Sequence, residues 1–207
     1  MSDFGQTVLS LRDKVMDAPR KGKRRVVALA GPPGSGKSTL AEYLAKALTA
    51  AGCKTQVVPM DGFHLDNRIL IERNLLHRKG AAETFDVHGL LSLVPRLASG
   101  DDVVFPTFDR ALDVSIGCAA IVASESDTLI VEGNYLLLEM PVWRDLAAYW
   151  DIAIALRTPE SILRQRLIKR WQDNGLSRLK AERRAEENDL VNARFVIDNT
   201  KLADVWV

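Results

Sequence analysis

The stretch of this chain best equipped for chemistry is Gly31-Pro32-Pro33-Gly34-Ser35-Gly36-Lys37-Ser38, followed by Thr39. It fits the pattern G-x-x-x-x-G-K-[ST]. Glycines let backbone N–H groups converge on phosphate oxygens where a side chain would block the approach. A helix opening directly after the loop adds its partial positive charge. Lys37 is placed to reach the β- and γ-phosphates, and the Ser38 hydroxyl to bind Mg²⁺. Residues Gly31 to Thr39 therefore form the expected binding loop for a nucleoside triphosphate.

Two acids stand at comparable positions further along. Residues 54–60 (KTQVVPM) read as a strand that runs into Asp61. An acid there can face the γ-phosphate and take, or orient, the proton of an acceptor hydroxyl; the plainer alternative is a turn or helix-capping aspartate. Residues 127–132 (DTLIVE) read as another strand, ending on Glu132. A carboxylate there is suited to holding Mg²⁺ directly or through water. Glutamate is rarely fully buried without a partner, which argues against a plain core role.

These residues need a frame. Residues 25–30 (RVVALA) are a short apolar run of the buried parallel-strand type. Leu40, Leu44 and Leu48 then mark a helix that stops at Gly52. Residues 150–156 read as a fourth strand and 194–197 as a short fifth, with helical patterns over 3–17, 88–98, 140–149 and 160–173. Alternating strands and helices predict an α/β fold of the P-loop NTPase type, a mostly parallel, doubly wound sheet of about five strands flanked by helices. Ligands of such sheets bind at the carboxyl ends of the strands.

The 207 residues read as one domain, with an amino-terminal helix within 1–19 and a helical lid over 158–193. In the lid, Leu163, Leu167 and Trp171 make an apolar stripe flanked by Arg166 and Arg170. Those arginines could neutralise charge on a transferred phosphoryl group; the alternative is a solvated basic face. The cluster Arg20, Lys21, Lys23, Arg24, Arg25 reads as a solvated connector.

Composition narrows the partners. A 47% hydrophobic content supports a core and excludes general disorder. With 28 basic against 27 acidic residues, the whole chain gives no reason to expect nucleic acid or an anionic membrane. Residues 164–184 nonetheless carry eight basic and two acidic side chains, an excess suited to a compact polyanion such as Mg-ATP. Cys53 and Cys118 lack metal-ligand spacing and read as reduced thiols, and no signal or membrane-spanning pattern is present. A cytoplasmic protein is expected, with no nucleic-acid or membrane partner.

Several users of a phosphate loop drop out. No N-K-x-D supports guanine recognition, Asp86-Val87-His88-Gly89 matches D-x-x-G without a strand leading into it, and no LSGGQ-like signature supports a transport ATPase. The segments GPPGSGKS, MDGFHLDN, RKGAAETFD, VFPTFDR and LIVEGNYLLL, spread over roughly residues 24–200, resemble the uridine kinase, pantothenate kinase and phosphoribulokinase group of P-loop kinases. Within that group the chain looks most like the proteins called "putative fructose transport system kinase".

The resemblance implies transfer of the γ-phosphoryl of ATP, with Mg²⁺, to a hydroxyl of a small molecule such as a sugar (fructose among them), a nucleoside or a pantothenate-like alcohol. It implies Asp61 as base or hydroxyl ligand, Asp86, Asp109 and Arg110 along the acceptor pocket, Glu132 near the metal, and a lid matching residues 161–171. It also leaves room for a homodimer. His64 stands beside Asp61 as an acceptor contact, where uridine kinases carry D-S-F-Y rather than Asp61-Gly62-Phe63-His64. His77 and His88 read as surface or packing residues. Adenine contacts are expected near Asn199 and Thr200. The competing function is a regulatory or assembly NTPase that hydrolyses ATP without an acceptor.

Overall fold

A computed structural model describes residues 3–207. In chain order it runs α1 (Asp3–Asp17), β1 (Arg25–Ala30), α2 (Lys37–Ala50), β2 (Thr55–Pro59), α3 (Asn67–Glu72), α4 (Val87–Ala98), β3 (Val103–Asp109), β4 (Val114–Val122), β5 (Thr128–Gly133), β6 (Ile152–Ala155), α5 (Glu160–Asp173), α6 (Arg178–Arg184), α7 (Leu190–Asn199) and β7 (Val205–Trp206). Short 3₁₀ turns fill several gaps, and a π-helical stretch, Ala185–Asp189, joins α6 to α7.

Five strands form one parallel sheet in the order β2-β5-β1-β6-β7. Both faces of β1 and β5 are buried, so their apolar residues sort by alternation rather than by exposure. Val27, Leu29 and Ile130 pack with α1 and α2 on one side. Val26, Ala28, Leu129 and Val131 pack with α4 and the turn Trp143–Tyr149 on the other. The alternating α/β pattern thus yields the doubly wound parallel sheet that it predicts.

One strand expectation is corrected. Residues 194–197 lie inside α7, and the fifth strand is Val205–Trp206 beside β6. Arg194-Phe195-Val196-Ile197 is too short a run for periodicity to tell strand from helix. Leu190, Ala193 and Val196 are buried at helical spacing, and Arg194 pairs with Glu160 on α5, so packing decides the matter. The turn over 143–149 is 3₁₀ rather than α-helical.

The antiparallel hairpin β3–β4 has no counterpart in the sequence reading. Pro106 interrupts β3, and proline within an apolar run argues against a strand unless it sits at an edge or a bulge. Here the register shifts between Phe105 and Thr107, so the proline occupies an irregularity.

The basic cluster is a second correction, because two of its members are buried. Arg24 is 1% exposed and donates to the carbonyls of Ser126 (3.0 Å), Leu97 (3.1 Å) and Ala123 (2.8 Å). Arg25 reaches back to the carbonyls of Met16 and Ala18, satisfying the end of α1. The cluster clamps the amino-terminal edge of the sheet to α1, α4 and the loop before β5. Arg24→Ala should cost about 2–4 kcal/mol, since three carbonyls lose a charged donor. Urea denaturation checks it: a loss under about 0.5 kcal/mol, typical of surface changes, would return Arg24 to the role of a connector.

Candidate active site

Register brings the two strand-end acids to the phosphate loop. Glu132 on β5 pairs with Leu29 on β1 and with Pro59 on β2. It therefore stands between the strand that opens the phosphate loop and the strand that delivers Asp61. The three segments line one cleft of about 1230 Å³ at the carboxyl ends of the strands, where doubly wound sheets bind ligands. That volume exceeds the usual range for a single small ligand.

The phosphate loop turns through glycines that need their conformations. Gly34 and Gly36 hold φ of +81° and +94°, left-handed values that side chains rarely adopt. At Gly34 a Cβ would also lie 3.1 Å from Leu167 Cγ on α5. The loop and the lid thus meet across a glycine. Arg166 on α5 fastens the same contact by donating to the carbonyls of Gly34 (3.2 Å) and Ser35 (3.1 Å).

At the floor of the cleft the Ser38 hydroxyl donates to Glu132 Oε1 at 3.2 Å. Glu132 is buried, and its other oxygen has no protein partner. Burial pushes its carboxyl above the ordinary glutamate range, against the pull of Lys37. Burial likewise lowers Lys37, and the charges of Glu132 and Asp61 only partly restore it. A hydroxyl beside a buried carboxylate with a spare oxygen is a hard oxygen donor set. It fits Mg²⁺, which takes one or two protein ligands and keeps its remaining positions for water and phosphate.

Asp61 faces the same space from a 3₁₀ turn after β2. Burial would raise its carboxyl, but the Arg110 guanidinium, with His64 and Lys37, outweighs that and holds it below the ordinary aspartate range. Arg110 donates to Asp61 Oδ2 at 2.5 Å and is itself largely exposed. His64 contacts the Asp61 carbonyl at 2.8 Å through Nδ1 and lies against the rings of Phe85 and Phe108, with centroids 4.0 and 4.6 Å away. Gly62 explains the departure from D-S-F-Y, because a Cβ there would sit 2.0 Å from the Pro106 carbonyl of β3. The hairpin crosses too closely for serine.

Two residues expected along the acceptor pocket bond to local backbone and lie off the cleft walls. Asp86 caps α4, accepting from the Gly89 N–H at 2.9 Å, and is exposed away from the cleft walls. Asp109 accepts from the N–H groups of Ala111 and Leu112, both at 2.9 Å, and so fixes the hairpin turn. Short aspartates before a turn or helix usually satisfy local backbone, which the motif reading overrode. In their place the cleft presents Lys79, Asp113 and Asn134. Asn134 follows Glu132 by two residues, and its Oδ1 is buried without a partner. Of these three, Asp113 left no sequence signal, while Lys79 and Asn134 lay inside motifs already singled out.

The lid's excess charge is smaller than its sequence suggests. Arg164 pairs with Glu186 at 2.5 Å, Lys169 with Asp173 at 3.0 Å, Arg178 with Glu182 at 3.0 Å and Arg183 with Glu187 at 2.8 Å. Arg166, Arg170 and Arg184 are the lid cations on the cleft wall. His77 and His88 are exposed. Asn199 and Thr200 lie off the cleft walls, Thr200 bridging to Leu138. No described helix is long and apolar enough to cross a membrane.

Comparison with known proteins adds to this geometry. A family model described as an AAA domain matches residues 27–190. The crystal structure of a "putative fructose transport system kinase" from Silicibacter sp. TM1040 superposes over the whole of both chains, with 47% identity and a TM-score of 0.92. Uncharacterized protein YggC of Escherichia coli K12 is 39% identical over 188 residues, covering 89% of this chain and 78% of that one. "Putative uridine kinase C227.14" of Schizosaccharomyces pombe is 34% identical over 205 residues, 94% of this chain and 87% of its own. A strand-loop-helix phosphate cradle, a buried acid on the neighbouring strand β5 and these likenesses meet in one conclusion: the chain belongs to the AAA-domain family matched here and to the P-loop kinases.

Proposed function

We propose that this kinase transfers the γ-phosphoryl of ATP to a hydroxyl of a small, polar acceptor. The observation that carries the reading is the convergence of Lys37, Glu132 and Asp61 on one cleft with room for a nucleotide and a second molecule. A hydrolytic switch needs the first two but has no use for an acid across the cleft beside an aromatic-walled recess.

In this reading the loop amides of residues 31–39 and Lys37 grip the triphosphate, and Ser38 and Glu132 would hold Mg²⁺. That ion, when bound, neutralises charge on the phosphate oxygens. Asp61 stays ionised because of Arg110, so it accepts a hydrogen bond from the attacking hydroxyl and orients it. A carboxylate held this low is a weak base, and its main work is alignment of the acceptor oxygen with the γ-phosphorus. Arg166 ties the lid to the loop, and Arg170 supplies positive charge from the same helix. His64, between Phe85 and Phe108, gives the acceptor a flat wall, and Arg110 a charged edge. In this reading residues 1–207 act as one domain on a small molecule, without nucleic acid or membrane.

The relatives' names and the motif resemblance suggest the acceptors to try. ADP release should be measured with ATP and D-fructose, uridine or pantothenate, each against an acceptor-free control. At least one acceptor should raise the rate well above background. ADP release indifferent to every hydroxyl compound offered would favour the regulatory NTPase instead. With the productive acceptor, Asp61→Asn should lower kcat by about 10²–10⁴-fold while ATP affinity stays nearly constant. Lys37→Ala should lower kcat/KM by about 10²–10³-fold or more through loss of phosphate stabilisation. Near-normal turnover by Asp61→Asn would remove the aspartate from the reaction.

Glu132 gives a test in the free enzyme. Its folded-state carboxyl is raised, so ionising it costs the folded state stability. That cost is absent below the ordinary glutamate range and grows as pH rises through the raised value. Glu132→Gln should therefore melt higher than the parent once pH exceeds the raised value. The gain should vanish in acid, and kinase activity should be lost. Thermal melts across pH read it, and a variant less stable at neutral pH would contradict the assigned burial cost.

A further inference from the structure

Arg78-Lys79-Gly80 lies in a segment that the resemblance singles out, yet the mechanism above gives it no part. Every polar group of Lys79 is engaged. Its side chain is only 8% exposed, and the ammonium donates to Asn67 Oδ1 (2.7 Å) and the Asp113 carbonyl (2.7 Å) and forms an ion pair with the Asp113 carboxylate at 2.9 Å. Two hydrogen bonds and one ion pair thus hold the ammonium. The charge also lies 5.1 Å from the centroid of Phe108. Asp113 holds φ at +56°, a left-handed value for a side-chain-bearing residue, and strain of that kind persists only where the surroundings enforce it. One cation therefore fixes the start of α3, the turn of the hairpin and an aromatic ring, and all three parts face the acceptor side of the cleft.

The other end of the same residue belongs to the lid. The Lys79 carbonyl accepts from Asn188 Nδ2 at 3.0 Å and from Arg184 at 3.4 Å. Arg184 also donates to the His77 carbonyl at 3.2 Å. Arg78 answers in the reverse direction, donating to Asn188 Oδ1 at 3.0 Å and Asn192 Oδ1 at 3.1 Å. Both asparagines are 3% exposed, so these bonds are not optional: a buried amide left unpaired is costly. Arg184 ends α6, Asn192 lies on α7, and Asn188 sits in the π-helical stretch between them, a distortion found mostly at functional sites.

We propose that Lys79 is a positioning residue for the acceptor: its ammonium sets the hairpin turn against the cleft, and its carbonyl makes that placement depend on the lid. The inference rests on the phosphotransferase reading above. Phosphate contacts made by Arg166 and Arg170 order the lid, the lid holds residues 77–80, and Lys79 passes that order to Asp113 and Phe108. An acceptor wall assembled only under a closed lid is in place for the acceptor once the nucleotide is bound.

Hydrogen exchange of the backbone amides at residues 110–115 tests this, with Mg²⁺ and the non-hydrolysable analogue AMP-PNP as probe. In the parent protein AMP-PNP should slow exchange there by about fivefold or more, the lower end of ordinary site coupling. Asn188→Asp keeps the oxygen that Arg78 uses and removes the N–H given to Lys79. It should bind AMP-PNP within about twofold of the parent and lose the slowing. Lys79→Met should lose it as well; should that variant not fold, Asn188→Asp carries the test alone. A merely structural strap would speed exchange equally with and without AMP-PNP and leave the nucleotide-dependent slowing intact, which overturns the proposal. So does a parent protein that binds AMP-PNP with no slowing at 110–115. Calorimetry separates the two levels: no AMP-PNP binding at all defeats the phosphotransferase reading itself, and this inference with it.

Discussion

A buried carboxylate with one unpartnered oxygen is the constraint around which this molecule is arranged. Glu132 is the last residue but one of β5, and the sheet order puts that strand between β1 and β2. Placing a charge there is costly, and the nearby Lys37 offsets only part of the cost, since both groups are shifted toward their neutral forms. Such a pair is a poor source of stability. It makes sense as a site held ready for a dication and a polyphosphate, whose charges complete what the protein leaves unbalanced.

The charges of the lid follow the same logic of balance. Half of its eight cations pair with glutamates and aspartates of the same helical region, and of the others Arg166, Arg170 and Arg184 stand on the cleft wall. Arg166 is held by loop carbonyls and Arg184 by carbonyls of residues 77 and 79. The lid is thereby fastened to both halves of the cleft, the phosphate side and the acceptor side. Gly34 permits the first contact, since a Cβ there would press on Leu167.

The acceptor side is built by the hairpin β3–β4, and its closeness imposes its own rules. Gly62 is required by the Pro106 carbonyl above it, Asp109 by the turn it stabilises, and Asp113 by the ammonium of Lys79. A likeness of motif could place VFPTFDR near the acceptor without showing that Asp109 serves the backbone while Asp113, three residues past the motif, faces the cleft. That distinction depends on bonds to Ala111 and Leu112, formed only once the turn closes.

What the sequence determined by itself was the chemistry set by local spacing. The phosphate loop, its flanking strand and helix, and the strand-end positions of Asp61 and Glu132 follow from contiguous residues, because backbone geometry over eight or nine positions makes the site. The parallel sheet followed too, since long apolar runs alternate with amphipathic helices. Tertiary structure alone decided the rest. It made 194–197 a helix, because Ala193 and Val196 find a core and Arg194 finds Glu160. It buried Arg24, because three carbonyls from distant segments converge on one guanidinium. It turned Asp86 and Asp109 to local backbone and brought Lys79 and Asp113 to the cleft. For Arg194, Arg24 and Lys79 the deciding partner lies far along the chain, beyond what periodicity and motif describe, whereas the partners of Asp86 and Asp109 are two or three residues away.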